Sequence, residues 1–171
     1  MRFFSGFGFE NDYEIFSDIL EKYKGNYNIA GFSYGAQNAL EFSLKNNTRI
    51  NRLILLSPAF FNDIDDWFIH KQLGLFAKNS KVYMKYFLKN IGFENKFINY
   101  LKTPDAKDLK LLLKYRFNSN SMYFLKSRGI KFDIYIGSND KIINVNNACE
   151  FFARFGIVYL LKNANHLLKY N

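Results

Sequence analysis

A chain of 171 residues that is 49% hydrophobic and 19% aromatic has room for one substantial core and is too apolar to be disordered. Its richest apolar run, Leu53–Leu56, is strand-sized and far short of a membrane span. The net charge of +9 points to an acidic partner, although heavy use of Phe, Ile, Asn, Lys and Tyr is also what AT-rich coding yields.

Met1-Arg2-Phe3-Phe4-Ser5-Gly6 is too soon broken by glycine to read as a signal peptide. Cys149 stands alone, so an intrachain disulfide is excluded and a reducing, cytoplasmic setting is expected. Among Ala148, Phe151 and Phe152 it reads as core packing.

Arg2-Phe3-Phe4 reads as a short strand entering the glycine-rich loop Ser5-Gly6-Phe7-Gly8. Asn11 with Glu14 forms a capping-box pattern. Tyr13, Phe16, Ile19, Leu20 and Tyr23 follow at helical spacing, and Gly25 ends the run. A second strand is expected over 27–32, a helix over 34–45 and a third strand over 52–57. The third is continuously apolar and should be buried on both faces. From Pro58 to about Gly129 the pattern becomes helical, with Ser80 as a cap for a helix through Ile91 and Thr103-Pro104 as the start of a run through Phe117. Strand character resumes over 132–136, and a helix over 145–155 leads to a last strand over 157–161. Strands alternating with helices predict a mostly parallel five-stranded α/β sheet. Its core is residues 1–57 and 130–171, and residues 58–129 form a helical lid inserted after the third strand.

Gly31-Phe32-Ser33-Tyr34-Gly35 matches Gly-x-Ser-x-Gly, the sharp strand-to-helix turn that presents a serine hydroxyl at the end of a sheet. Asp140 and His166 each follow a strand as well, so all three share the carboxyl-end rim where open α/β sheets place their sites. A serine hydroxyl is a poor nucleophile without a base, imidazole suits that task, and a carboxylate fixes the imidazole tautomer. The backbone amides of Tyr34 and Phe7 are the candidate donors for an oxyanion. His70, in the helical stretch, is the other possible base; Asp63, after the third strand, and Asp133, inside a strand, are the other possible acids.

These blocks make the chain resemble an α/β-hydrolase, and more narrowly the small esterases that cleave the methyl ester of pimeloyl-acyl carrier protein in biotin synthesis, especially the compact BioV type. The matching residues are Phe3–Gly8, Asn28–Gly35, Ile136–Asp140 and Asn163–His166. The resemblance implies Ser33 as nucleophile, His166 as base, Asp140 as acid and an oxyanion hole from Phe7 and Tyr34, with no metal or redox cofactor. Ser5 stands where many relatives carry a histidine, which leaves the loop's support open. A full sheet of this type runs 1-2-4-3-5-6-7-8; the five strands here map to 3, 5, 6, 7 and 8, so the missing ones form a single edge. If every crossover is right-handed, the connecting helices fall on one face. The other face is then covered by the insertion or by a second protomer, which makes a homo-oligomer an expectation to test.

Residues 58–128 hold thirteen Lys or Arg against six Asp or Glu, a net +7. Lys78, Lys81, Lys85 and Lys89, and again Lys107, Lys110 and Lys114, recur at helical spacing. They are either solvated helix faces or the receiving surface of a lid for an acidic carrier protein. No nucleic-acid recognition motif accompanies the charge. The expectation is a cytoplasmic serine carboxylesterase acting on carrier-bound pimeloyl methyl ester. A thioesterase, a general short-chain carboxylesterase and an inactive hydrolase-like binding module are the alternatives.

Overall fold

In the computed structural model, which describes residues 1–170, alternation along the central strands decides the layering. Five strands are found among the described residues: β1 Arg2–Phe4, β2 Asn28–Phe32, β3 Arg52–Leu56, β4 Lys131–Gly137 and β5 Ile157–Leu161. They pair in parallel in the order β1-β2-β3-β4-β5. Ile29, Leu53, Leu55, Ile134 and Ile136 point to one core, while Ala30, Phe32, Ile54, Leu56 and Tyr135 point to the other. A strand buried on both faces reads as a continuous apolar run, as β3 does.

The first core is closed by helix α2 (Tyr34–Lys45), α5 (Ala106–Lys114), α6 (Ser119–Ser127) and α7 (Val145–Ala153). Arg128, just past α6, donates to the Ser43 and Asn46 carbonyls at the end of α2, each at 2.8 Å. Those carbonyls have no helical partner of their own, so the guanidinium both caps α2 and fixes α6 against it.

The second core overturns the expectation that all connections share one face. Residues 12–23 pack Ile15, Phe16, Leu20 and Tyr23 onto the face opposite α2. The steps from β1 to β2 and from β2 to β3 run the same way across the sheet, so crossing on opposite faces gives them opposite hand. Helix α7 between β4 and β5, and α5 and α6 of the long β3–β4 connection, lie on α2's face, which makes the first crossover the exception to the usual rule. Ile91, Phe97, Leu167 and Leu168 complete this layer, so the face is covered within one chain. Residues 12–23 are also not one regular helix. A single α turn, α1 (Ser17–Leu20), lies between 3-10 turns at Asp12–Phe16 and Glu21–Tyr23. The Asn11 capping box does not form, because Asn11 is left-handed at φ 53° and makes no side-chain cap bond, whereas an N-cap residue needs extended backbone.

Between β3 and β4 the chain also forms α3 (Asp66–Lys78) and α4 (Ser80–Ile91). The cap of α4 is Asn79, one residue before the expected Ser80, and its side chain accepts from the Val82 amide at 3.0 Å. Asp105 caps α5, later than Thr103-Pro104, and that helix stops at Lys114 instead of Phe117. Asp133 sits buried in β4 and pairs with Arg52 at 2.5 Å, which is how a strand facing two cores tolerates a carboxylate.

Candidate active site

β2 ends at Phe32 and α2 begins at Tyr34, so Ser33 must reverse the chain in one residue. It does so at φ 52° and ψ −110°, a backbone state that costs about 1–3 kcal/mol and persists only where the surroundings enforce it. The flanking glycines supply the room. A Cβ on Gly31 would overlap the Gly35 carbonyl, and one on Gly35 would overlap the Phe4 carbonyl. The Ser33 amide donates to the Leu56 carbonyl at 2.9 Å, which ties the turn to β3.

The Ser33 hydroxyl lies 3.0 Å from Nε2 of His166, and Nδ1 of His166 lies 2.5 Å from Oδ2 of Asp140. All three side chains are buried. The other carboxylate oxygen, Oδ1, accepts the Ile142 amide at 2.8 Å and the Ile143 amide at 3.4 Å, so the carboxylate cannot rotate without losing them. The sequence leaves three acids open, and the fold separates them. Asp63 is exposed and accepts from Asn147, and Asp133 is taken by Arg52. His70 is exposed on α3.

His166 is held on three sides. Its ring packs on Phe32, centroid to centroid 5.3 Å. Asn165 builds the turn beneath it by accepting the Leu167 amide at 2.9 Å and the Lys169 amide at 3.2 Å. The Asn139 amide donates to the Ala164 carbonyl at 2.9 Å, which joins the Asp140 loop to the His166 loop. The sequence offered Asn165 only as part of a matching block; its holding role depends on contacts between distant segments.

Gly6, Phe7 and Gly8 are buried, and the loop lies against the elbow: Gly35 meets the Phe4 and Ser5 carbonyls, and Gly6 meets the Phe32 ring. The Phe7 side chain packs on Phe76 of α3 and Phe87 of α4. Among the described residues neither the Phe7 nor the Tyr34 amide has an acceptor, so both remain available as donors. The loop is anchored as well: Lys102 donates to the Gly8 carbonyl at 3.0 Å and Glu10 to the Tyr100 carbonyl at 2.8 Å.

Ser33 lies on the floor of a cavity of about 730 Å³. Ala59, Phe61, Leu109, Leu112 and Leu113 are buried in its walls, and the exposed Leu75, Lys78, Val82 and Tyr86 lie at its mouth. Lys81, Lys85 and Lys89 are exposed on α4, as are Lys107, Lys110 and Lys114 on α5. Among the described residues no group of His, Cys, Asp or Glu gathers to hold a metal, and no helix is long and apolar enough to cross a membrane. Cys149 is half-buried against the first core, and burial pushes its thiol pKa up.

No family model and no curated protein matches the chain. Solved structures do. The chain is similar to the carboxylesterase CesB from Bacillus subtilis, with a TM-score of 0.55 and 19% identity over 89% of this chain and 57% of that one. It is similar to the bromoperoxidase from Bacillus anthracis, with a TM-score of 0.67 and 17% identity over 94% of this chain and 69% of that one. It is also similar to BioG from Haemophilus influenzae, with a TM-score of 0.59 and 14% identity over 96% of this chain and 87% of that one. The chain thus spans little more than half the length of some of these relatives. With a parallel sheet, a serine elbow at the second strand and an acid and a histidine after the last two, the chain has a reduced α/β-hydrolase fold.

Proposed function

We propose that the protein is a serine ester hydrolase, and that its substrate is a methyl ester at the end of a pimeloyl chain carried by acyl carrier protein. The observation that carries the hydrolase reading is the buried relay from Asp140 through His166 to Ser33 at the floor of an apolar cavity. Ser33 attacks the ester carbonyl as His166 Nε2 takes its proton, and Asp140 stabilises the imidazolium that forms. The Phe7 and Tyr34 amides receive the oxyanion. His166 returns the proton to the departing methoxide, methanol leaves, and a water activated by His166 then releases the acid from Ser33.

The substrate rests on the resemblance to pimeloyl-carrier esterases and on two features that suit it: apolar walls for an acyl chain, and exposed lysines on α4 and α5 for an acidic, cytoplasmic carrier protein. Charges of that kind act mainly on encounter rate. A general short-chain carboxylesterase is the second reading, favoured by the cavity's apolar lining beside Ser33, which suits a short acyl chain equally.

A serine-directed phosphonate should label the wild type stoichiometrically and leave Ser33→Ala unlabelled. An unlabelled wild type refutes the enzyme reading and leaves a binding module. Release of methanol from pimeloyl-carrier methyl ester, and growth of a biotin auxotroph lacking its own methyl esterase, separate the two substrate readings. Activity on short esters alone would favour the general one.

A further inference from the structure

Asp12 is completely buried, and the triad does not use it. Its Oδ2 accepts the Gly6 amide at 3.1 Å, while its Oδ1 has no hydrogen-bond partner among the described residues. Burial pushes its pKa up, and the Ser5 hydroxyl, the Gly6 and Asp12 amides and, last, the Lys102 charge pull it back. A carboxyl in this position is costly, because an unsatisfied buried acceptor forfeits its hydration. Asn11, the residue before Asp12, is left-handed at φ 53°. A fully buried carboxyl is thus committed to one glycine.

That glycine governs the candidate oxyanion donor. The Phe7 N–H belongs to the same peptide plane as the Gly6 carbonyl and points the opposite way, as any trans peptide requires. The Gly6 carbonyl accepts the Phe9 amide at 3.1 Å, which pins the plane after Gly6. Asp12 pins the plane before it. Glycine has the widest backbone freedom of any residue, so both pins are needed to define its φ and ψ. Ser5 provides only a hydroxyl toward the same carboxyl.

We infer that Asp12 is a positioning residue for the oxyanion loop: its carboxyl holds Gly6 so that the Phe7 amide faces the carbonyl oxygen attacked by Ser33. The inference rests on the catalytic reading above. It assigns to Asp12 the support that a histidine at position 5 would otherwise supply.

The test is the kinetics of Asp12→Ala and Asp12→Asn on a p-nitrophenyl ester. Loss of one oxyanion donor costs about 10²–10³ in kcat, so a misaimed donor in Asp12→Ala should cost about 10- to 100-fold in kcat at nearly constant KM. Asp12→Asn keeps an oxygen for the Gly6 amide and should recover most of the rate. Affinity for a trifluoromethyl ketone, which binds as the tetrahedral oxyanion, should fall with kcat/KM in Asp12→Ala while affinity for the acid product stays constant. Undiminished kcat in Asp12→Ala, unchanged ketone affinity, or Asn rescuing no better than Ala overturns the inference. If Asp12→Ala does not fold, Asp12→Glu displaces the oxygen by one methylene; a kcat loss at constant KM is expected there, and full kcat overturns the inference. A wild type inert to the phosphonate would overturn the catalytic reading itself. An active, labelled wild type indifferent to Asp12 would overturn only this inference.

Discussion

Replacing Asp140 with asparagine exchanges one carboxylate oxygen for an NH₂ group at nearly constant volume. In the native site Oδ1 accepts the Ile142 and Ile143 amides, and Oδ2 faces Nδ1 of His166 at 2.5 Å. The two backbone donors decide how an asparagine must sit. Its single oxygen has to face them, since an NH₂ there would set donor against donor, so its NH₂ faces Nδ1. His166 is then forced to accept at Nδ1 and to carry its proton on Nε2, the nitrogen 3.0 Å from the Ser33 hydroxyl. In that tautomer it cannot take the serine proton. The same swap in serine proteases lowers kcat about 10⁴-fold, which is about 5.5 kcal/mol of transition-state stabilisation. Steady-state hydrolysis of a p-nitrophenyl ester, with thermal unfolding to show that the variant remains folded, measures it. Asp63→Asn is the control and should leave kcat unchanged, since Asp63 bonds Asn147 at the surface. A folded Asp140→Asn within about tenfold of wild type would refute the assignment of Asp140 and the tautomer argument together.

Gly35→Ala should destabilise the protein by several kcal/mol, because its Cβ would enter the Phe4 carbonyl and neither backbone can give way; thermal unfolding, or failure to obtain soluble protein, reads this. Lys81, Lys85 and Lys89 changed together to Glu should lower kcat/KM for carrier-bound substrate about tenfold at low salt, with a smaller difference at high salt and no change for a small ester. Asp12→Asn should raise stability relative to wild type near neutral pH. The folded Asp12 pKa lies above its unfolded value, so between those values the folded state binds more protons and wild-type stability falls as pH rises. The Tm gap should therefore shrink as pH falls from the folded value toward the unfolded one and level off below it, and a gap independent of pH would contradict it. Arg52→Leu should cost about 3 kcal/mol by leaving the Asp133 carboxylate buried beside only a long contact to the Tyr159 hydroxyl, 3.4 Å away; denaturant unfolding measures it.

The sequence by itself determined whatever depends on neighbours along the chain. The glycines around Ser33 specify the elbow because only a residue without Cβ fits beside the turn. The unbroken Leu53–Leu56 run specifies a strand between two layers. Because loops after parallel strands share one rim, Ser33, Asp140 and His166 could be grouped before their distances were known. Tertiary structure decided what depends on segments far apart in the chain. Asp140 separates from Asp63 only when the Ile142 and Ile143 amides and the His166 ring are in place around it. Residues 12–23 show helical spacing, yet nothing local says on which face of the sheet they lie. Packing of Ile15, Phe16, Leu20 and Tyr23 with Phe32, Ile54 and Leu56 places them opposite α2, as short turns in place of one helix, and sets Asp12 in contact with Gly6. The same contact gives the Ser5–Gly8 loop its support, which spacing could not reveal because the partner is a buried carboxyl that in sequence looks like an ordinary helix-start aspartate.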